Sequence, residues 1–298
     1  MHIKRTAADW VFDIIIYILL GLLVVATIYP FLNALAISLN EASDTTRGGI
    51  TIFPRRFTIE NYRTISQNDN LYRAFVISVL RTVIGAFGSV LITGFMAYAL
   101  SKKHLKGRKI YMTICIVTMY FSGGLIPYFL LLRSIGLLNT FWVYIIPNLV
   151  NVWNMIIMRT YFKGLPESVE EAARVDGAST WQVYFRIVLP MSAPIIATIA
   201  LFSGVFQWNS WFDAAVFVTD RNLRPLQNVL NEIINSSRFA EEIAKAGVDA
   251  TRLGRMNIIN SRSITMATMI AVILPIIMVY PFIQKYFAKG MMIGSLKE

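Results

Sequence analysis

Six long apolar runs constrain this chain more than any other feature of its sequence. They cover residues 14–37, 75–100, 110–132, 141–158, 194–217 and 264–282. A helix needs about 20 apolar residues to cross the hydrocarbon core of a bilayer, and each run meets or approaches that length. The fourth is short, and Gln207, Asn209 and Asp213 interrupt the fifth. Arg81, near the start of the second, is expected to extend its charged end to the outer interface. The first run follows Lys4 and Arg5 as a signal peptide would, and Ala34-Leu35-Ala36 offers a small-x-small site. It exceeds the roughly 7–15 residues of a signal-peptide core and holds Pro30 before that site, so it reads as an uncleaved first span.

Composition supports a lipid environment. Charged residues make up 15% of the chain, against roughly a quarter in soluble domains. The net charge of +11 sits beside apolar runs rather than on one soluble face, which argues for membrane-flanking charge and against nucleic acid. Cys115 cannot form an internal disulfide and reads as a small buried hydrophobe. With only His2 and His104 beside it, a Cys/His metal cluster is excluded. The chain contains no GxxxxGK[ST], HExxH or GxSxG pattern, so it brings no P-loop of its own.

The segment 101–109, SKKHLKGRK, holds Lys102, Lys103, Lys106, Arg108 and Lys109 without an acid, which marks it as cytoplasmic. Alternation places both termini and 159–193 inside, with 40–72, 133–140 and about 218–263 outside. Every lysine except Lys245 then falls inside, whereas the combined Lys and Arg count does not discriminate. The expected organisation is a first span with an outer arm (1–70), a core of five spans (71–286) and a cytoplasmic tail (287–298). The turn-rich 40–70 segment reads as an ordered arm or cap. Within 218–263 a helix is expected over 230–246, with Leu230, Ile233, Ile234, Ala240 and Ile243 as its apolar face. Docking of an outside partner and simple self-packing both remain open for it. Neither a 20–50-residue repeat nor a low-complexity tract is present.

The polar interruption at 165–190, LPESVEEAARVDGASTWQVYFRIVLP, carries the densest local signals. Pro166 suits the first helical position, and Glu167 and Glu170 place negative charge near the positive end of the helix dipole. Glu170 and Arg174 are spaced for an ion pair. Asp176-Gly177 ends that helix, with Gly177 suited to a left-handed cap. Ser179 and Gln182 make a capping box for a second helix, which Pro190 is expected to stop. Ala172 and Ala173 leave a face that another protein surface could approach closely.

Glu171-Ala172-Ala173, three residues, Gly177, nine residues, and Ile187-x-Leu189-Pro190 match the EAA loop at every defining position. The chain therefore resembles permease subunits of binding-protein-dependent ABC importers. KGLPESVEEAARVDGAS (163–179), QWNSWFDA (207–214) and the tail KYFAKGMMIGSLKE (285–298) look like the carbohydrate-uptake branch. Within it, the chain is similar to the maltose-type second permease and to permeases for oligosaccharides and polysaccharide fragments. The resemblance implies an all-α integral membrane protein with six transmembrane helices and the ABC importer permease (MetI-like) fold, in the bacterial cytoplasmic membrane. It implies a coupling helix seated in a cleft of an ATPase subunit, with Glu170 and Glu171 touching the ATPase, Ala172 and Ala173 permitting close seating, and Asp176-Gly177 making the turn. The implied partners are a second permease chain in a heterodimer, two ATP-binding subunits and an extracytoplasmic sugar-binding protein. By the same resemblance, the outer loop would touch that binding protein and the tail from Gly290 would reach the ATPases. No cofactor is expected in this chain, since ATP and magnesium belong to the partner ATPase.

Polar residues inside spans are costly and usually face a bundle interior or cavity. Asn148, Asn151 and Asn154 recur every three residues and would drift only about 120° around a continuous helix. Trp208, Asn209, Trp211 and Asp213 add an amide, a carboxylate and flat apolar rings near the outer end of the fifth run. These seven are the candidate substrate pathway, set against helix–helix hydrogen bonding for the asparagines and interfacial anchoring for the tryptophans. An ABC permease for a non-sugar solute and an ion-coupled sugar carrier are the competing readings, although the spans offer few carboxylates for an ion relay.

Overall fold

A computed structural model describes residues 7–245 and 262–295. His2, Lys4, Arg5, the end of the outer loop and the last residues of the tail lie outside the described residues. The chain is helical: α1 (Ala7–Ser38), α2 (Ala42–Thr45), α3 (Glu60–Ser66), α4 (Asp69–Ser101), α5 (Arg108–Tyr120), α6 (Leu125–Ser134) and α7 (Val152–Lys163) come first. They are followed by α8 (Glu167–Val175), α9 (Thr180–Val183), α10 (Leu189–Met191), α11 (Ala193–Asn209), α12 (Phe212–Phe217), α13 (Leu226–Lys245) and α14 (Arg262–Ser295). Among the described residues the nearest thing to a sheet is one bridge, Asn40 to Phe57. The chain divides into two compact units, Met1–Asp69 with Leu230–Leu274, and Asn70–Val229 with Pro275–Glu298.

In the first unit, α1 is exposed on every side from Trp10 to Leu32 except at Asp13. A helix apolar all round needs lipid or another protein around it. The arm that follows is ordered by polar contacts. The buried Asn40 amide donates to Glu41 O, Asp44 Oδ2 and Thr45 Oγ1, and its carbonyl accepts from Arg56 N. Asn61 donates to Ser38 O and Asn40 O, and Arg55 pairs with Asp44 at 3.0 Å. At the expected outer-loop helix, Leu230 is buried while Ile233 and Ile234 are half-buried. Ala240 and Ile243 lie outside the described side chains.

The second unit is organised around α4. Its buried face runs Ser78, Arg81, Gly85, Ser89, Thr93, Ala97 and Ser101, one residue per turn. Leu80, Val83, Ile84, Phe87 and Ile92 are exposed. This reverses the pattern of a soluble helix. Small residues inside let backbones approach closely, and large apolar ones face the lipid. A Cβ at Gly85 would come within 2.6 Å of the Gln207 side chain, and one at Gly94 within 2.6 Å of Tyr184 Oη.

Six spans are still possible when each bent helix pair counts as one, but three of the six apolar runs, the third, fourth and fifth, are not continuous helices. α5 and α6 meet at 116°, across the Phe121-Ser122-Gly123-Gly124 stretch. Residues 141–148 form two tight 3₁₀ turns bent by 45° from α7, and the 180–191 helix is bent by 85° from α11. The second short helix ends at Met191, one residue past Pro190 and close to the expected stop, and the bend falls at Ser192. The fifth run also ends early, because α11 stops at Asn209 and α12 is separate.

Candidate functional site

The 165–190 segment folds as a helix, a tight turn and a second helix. Pro166 occupies the cap position, one residue before the expected place, and α8 begins at Glu167. Gly177 has φ +83°. Its N–H donates to Arg174 O at 3.0 Å and that of Ala178 to Ala173 O at 2.9 Å, the bonds of a Schellman cap. Space around Gly177 is open, so glycine is needed for the backbone angle rather than for room. The capping box is complete, with Ser179 N donating to Gln182 Oε1 at 2.8 Å and Gln182 N to Ser179 Oγ at 3.3 Å. The helix then widens into a π turn at Tyr184–Val188, a distortion frequent at functional sites.

The two faces of α8 differ sharply. Ser168, Glu171, Ala172 and Val175 are exposed, Val175 to 88%. Glu170 is buried. Its Oε2 accepts from Tyr98 Oη at 3.0 Å, and Lys102 Nζ donates to both carboxylate oxygens. Lys102 Nζ also sits 4.3 Å from the centre of the Tyr98 ring. The expected partner Arg174 lies at 3.8 Å, so the pair read from local spacing is the weakest of these contacts. The carboxylate of Glu170 is engaged inside the chain, whereas an outward contact was expected of it. Glu171, one residue and about 100° further round, points outward. Glu167 reaches Lys103 at 3.0 Å on the surface. That hydrogen bond and the Lys103 charge hold the Glu167 carboxyl below its ordinary value.

The second helix is anchored by apolar groups. Val183, Tyr184 and Val188 are fully buried in a core with Ala97, Tyr98, Met155, Met158 and Ile199. Phe95 of α4 meets the Tyr184, Trp181 and Phe185 rings at 4.7, 4.9 and 5.5 Å. Between the two short helices lies a shallow notch lined by Asp176, Gly177, Ala178, Gln182, Arg186 and Ile187.

The candidate pathway residues do not form one surface. Asn148 lies in a 3₁₀ turn and donates to Tyr144 O at 3.0 Å. Asn151 caps α7, its Oδ1 accepting from Asn154 N at 3.0 Å, and Asn154 is buried. The asparagine stripe assumed one continuous helix, and the break before Asn151 removes it. Trp208 is buried with its ring on edge to Phe75 at 6.2 Å. Asn209 accepts from Gln227 at 3.4 Å, and Trp211 is 42% exposed.

Asp213 belongs to a network that sequence reasoning missed. Arg81 does not reach an interface; it is fully buried. Its guanidinium donates to Asp213 at 2.6 and 3.3 Å, to Gln207 Oε1 at 2.9 and 3.1 Å, and to Ser210 O at 3.2 Å. It also stacks 4.3 Å from the Tyr144 ring centre. The signal was present as one cation in the second run and one carboxylate in the fifth, since charges inside spans pair with one another. Among the described residues, no group of three or more His, Cys, Asp or Glu is arranged to hold a metal.

Residues 89–293 match the family described as binding-protein-dependent transport system inner membrane component. The polygalacturonan/rhamnogalacturonan transport system permease protein YtcP of Bacillus subtilis is 36% identical over 96% of this chain and 98% of its own length. Protein LplC of the same organism is 38% identical over 100% of this chain and 98% of its own. A chain from the crystal structure of a bacterial ABC transporter involved in import of the acidic polysaccharide alginate superposes with a TM-score of 0.84 at 30% identity, over 96% of this chain and 100% of that one. The relatives are transport permeases rather than enzymes, with ATP hydrolysed by separate subunits. This chain belongs to the family of binding-protein-dependent transport system inner membrane components and is a permease subunit of an ABC importer.

Proposed function

We propose that this chain imports oligosaccharides or polysaccharide fragments, and that α8 is the helix by which ATPase closure drives the pore. One observation carries the coupling role. The Glu171, Ala172 and Val175 face of α8 is uncovered, while the opposite face is tied to the chain through Glu170. An acid beside small and apolar groups suits a cleft that combines a cation with close packing. Asp176 and Gly177 line the notch behind that face and turn the chain into the second helix. The six apolar runs cross the bacterial cytoplasmic membrane with both termini and this segment on the ATP side. The assembly is a heterodimer with a second permease, two ATPase subunits holding ATP and magnesium, and an outer sugar-binding protein.

Two relatives named for polygalacturonan/rhamnogalacturonan and alginate transport point to acidic glycans as the first substrates to try. In the pathway, Asn151, Asn209 and Trp211 are exposed and available to a sugar. Asn148, Asn154, Trp208 and Asp213 hold structure. The test is to purify the complex with its binding protein, reconstitute it, and measure ATPase stimulation by oligogalacturonides, alginate oligomers and neutral oligosaccharides. Stimulation by at least one glycan class is expected. Stimulation only by amino acids or metal ions, run as controls, would overturn the carbohydrate reading.

A further inference from the structure

Docking on α8 leaves open how its movement reaches the membrane helices. Among the described residues of α8, Glu170 alone is buried, and Ala173 is half-covered against the core. A helix held by the hydrophobic effect would bury several apolar side chains, and such contacts are non-directional. This helix instead meets the body of its unit mainly through one carboxylate, with Ala173 the one apolar group half-covered beside it. Both donors to that carboxylate belong to one element: Tyr98 in the last turn of α4 and Lys102 directly after it. A carboxylate held by an ammonium at both oxygens and by a phenol at one is fixed in direction as well as distance.

The end of α4 is itself secured. Arg159 Nε donates to Leu100 O at 2.9 Å and Ser101 Oγ to Tyr98 O at 2.7 Å, satisfying carbonyls that a helix terminus leaves open. The second short helix meets α4 differently, through edge-on rings around Phe95 and through the buried Val183, Tyr184 and Val188. Those contacts are apolar and non-directional, so the Glu170 contact is the one that fixes the direction in which α8 and α4 move together.

We infer that Glu170, Lys102 and Tyr98 form the joint through which movement of the coupling helix is handed to α4. Lys102 and Tyr98 are then positioning residues for transport. The inference rests on the docking role of α8 proposed above. Arg81, further up α4, grips Gln207, Ser210 and Asp213, so displacement entering at Lys102 leaves at the break between α11 and α12.

The test uses the assembled complex with a Cys115→Ser background and spin labels at Val169→Cys, on α8 but off its docking face, and Phe87→Cys, both exposed positions. The expected label separation is a single narrow distribution, the same without nucleotide and with ATP and vanadate. Lys102→Met should broaden it and make it nucleotide-dependent while the ATPase subunits still co-purify. Tyr98→Phe should do so partly, and the exchange Lys102→Glu with Glu170→Lys should restore the narrow distribution. A narrow, nucleotide-independent distance in Lys102→Met overturns the joint, as does a failed exchange or loss of the ATPases from Lys102→Met. Failure of the docking reading shows elsewhere: the Val169 label would keep the same mobility whether or not the ATPases are bound.

Discussion

The upper and lower parts of α4 each bear a cation paired with an acid far away in sequence, and the two sites are built differently. At Arg81 the guanidinium has no exposure, and its contacts are Asp213, Gln207, Ser210 and the Tyr144 ring. At Lys102 the ammonium keeps 18% exposure at the rim of the unit, while the two acids are alike, Asp213 at 15% and Glu170 at 10%. A charge taken wholly out of water must have its donors met, because an uncompensated buried ion costs several kcal/mol. Arg81 meets that demand with a carboxylate, an amide, a backbone carbonyl and an aromatic face. Lys102 can exchange its partner for water. The first site is a lock and the second a joint, and the contrast follows from how much water each cation can reach.

The contrast is broken most directly at its deepest point. Asp213→Ala leaves Arg81 buried without its counter-charge and should destabilise the protein by about 3–5 kcal/mol, read as loss of thermal stability in detergent. Replacing both partners together, Arg81→Met with Asp213→Leu, should recover most of that loss. If the single variant is as stable as the parent, Arg81 is not locked. Next in size is Gly94→Ala, whose methyl would press on Tyr184 Oη. Overpacking of this kind costs about 1–3 kcal/mol, and melting curves alongside Gly123→Ala, where space is ordinary, would check it.

At the rim, Glu170→Gln keeps the shape and the Tyr98 hydrogen bond but removes the charge. It should cost only about 1 kcal/mol while reducing transport per ATP far more than stability. A loss of stability equal to that of Asp213→Ala would erase the distinction between joint and lock. The smallest effect belongs to the Glu167–Lys103 pair outside both sites. The folded pKa of Glu167 lies below its ordinary value of 4.5, so its contribution is complete above that value and disappears as pH falls through the lowered one. The protection of α8 amides, referred to their intrinsic exchange rate at each pH, should therefore be unchanged between pH 8 and 6 and should fall only on acidification below about 4.5, with Glu167→Gln abolishing the pH step.

What could be read without coordinates was local. The cap at Gly177 and the box between Ser179 and Gln182 obey rules that span a few residues, and both formed as read. The bend between α5 and α6 is local in the same way, since Gly123 and Gly124 sit at it and Pro127 just after it, and glycine and proline act on their own backbone. The break before Asn151 escaped notice, since Pro147 and the asparagines fit an uninterrupted span as easily as a capped new start. Arg81 was misread for the same reason. Taken alone, an arginine near a span end is expected to reach for water, and its carboxylate partner stands 132 positions away.

Hydropathy and capping are properties of contiguous residues, so the order of amino acids alone makes this a membrane protein of long apolar helices, interrupted at 165–190 by a capped helical hairpin. Its motif spacing pointed to the importer family. Packing alone settled which of two adjacent glutamates faces the chain and which faces outward. That choice depends on the rotation of α8 against α4, and so on where Tyr98 and Lys102 stand. The same packing turned Arg81 from an interfacial charge into a buried lock, because a charge inside a bundle takes its meaning from whatever distant residue lies across from it.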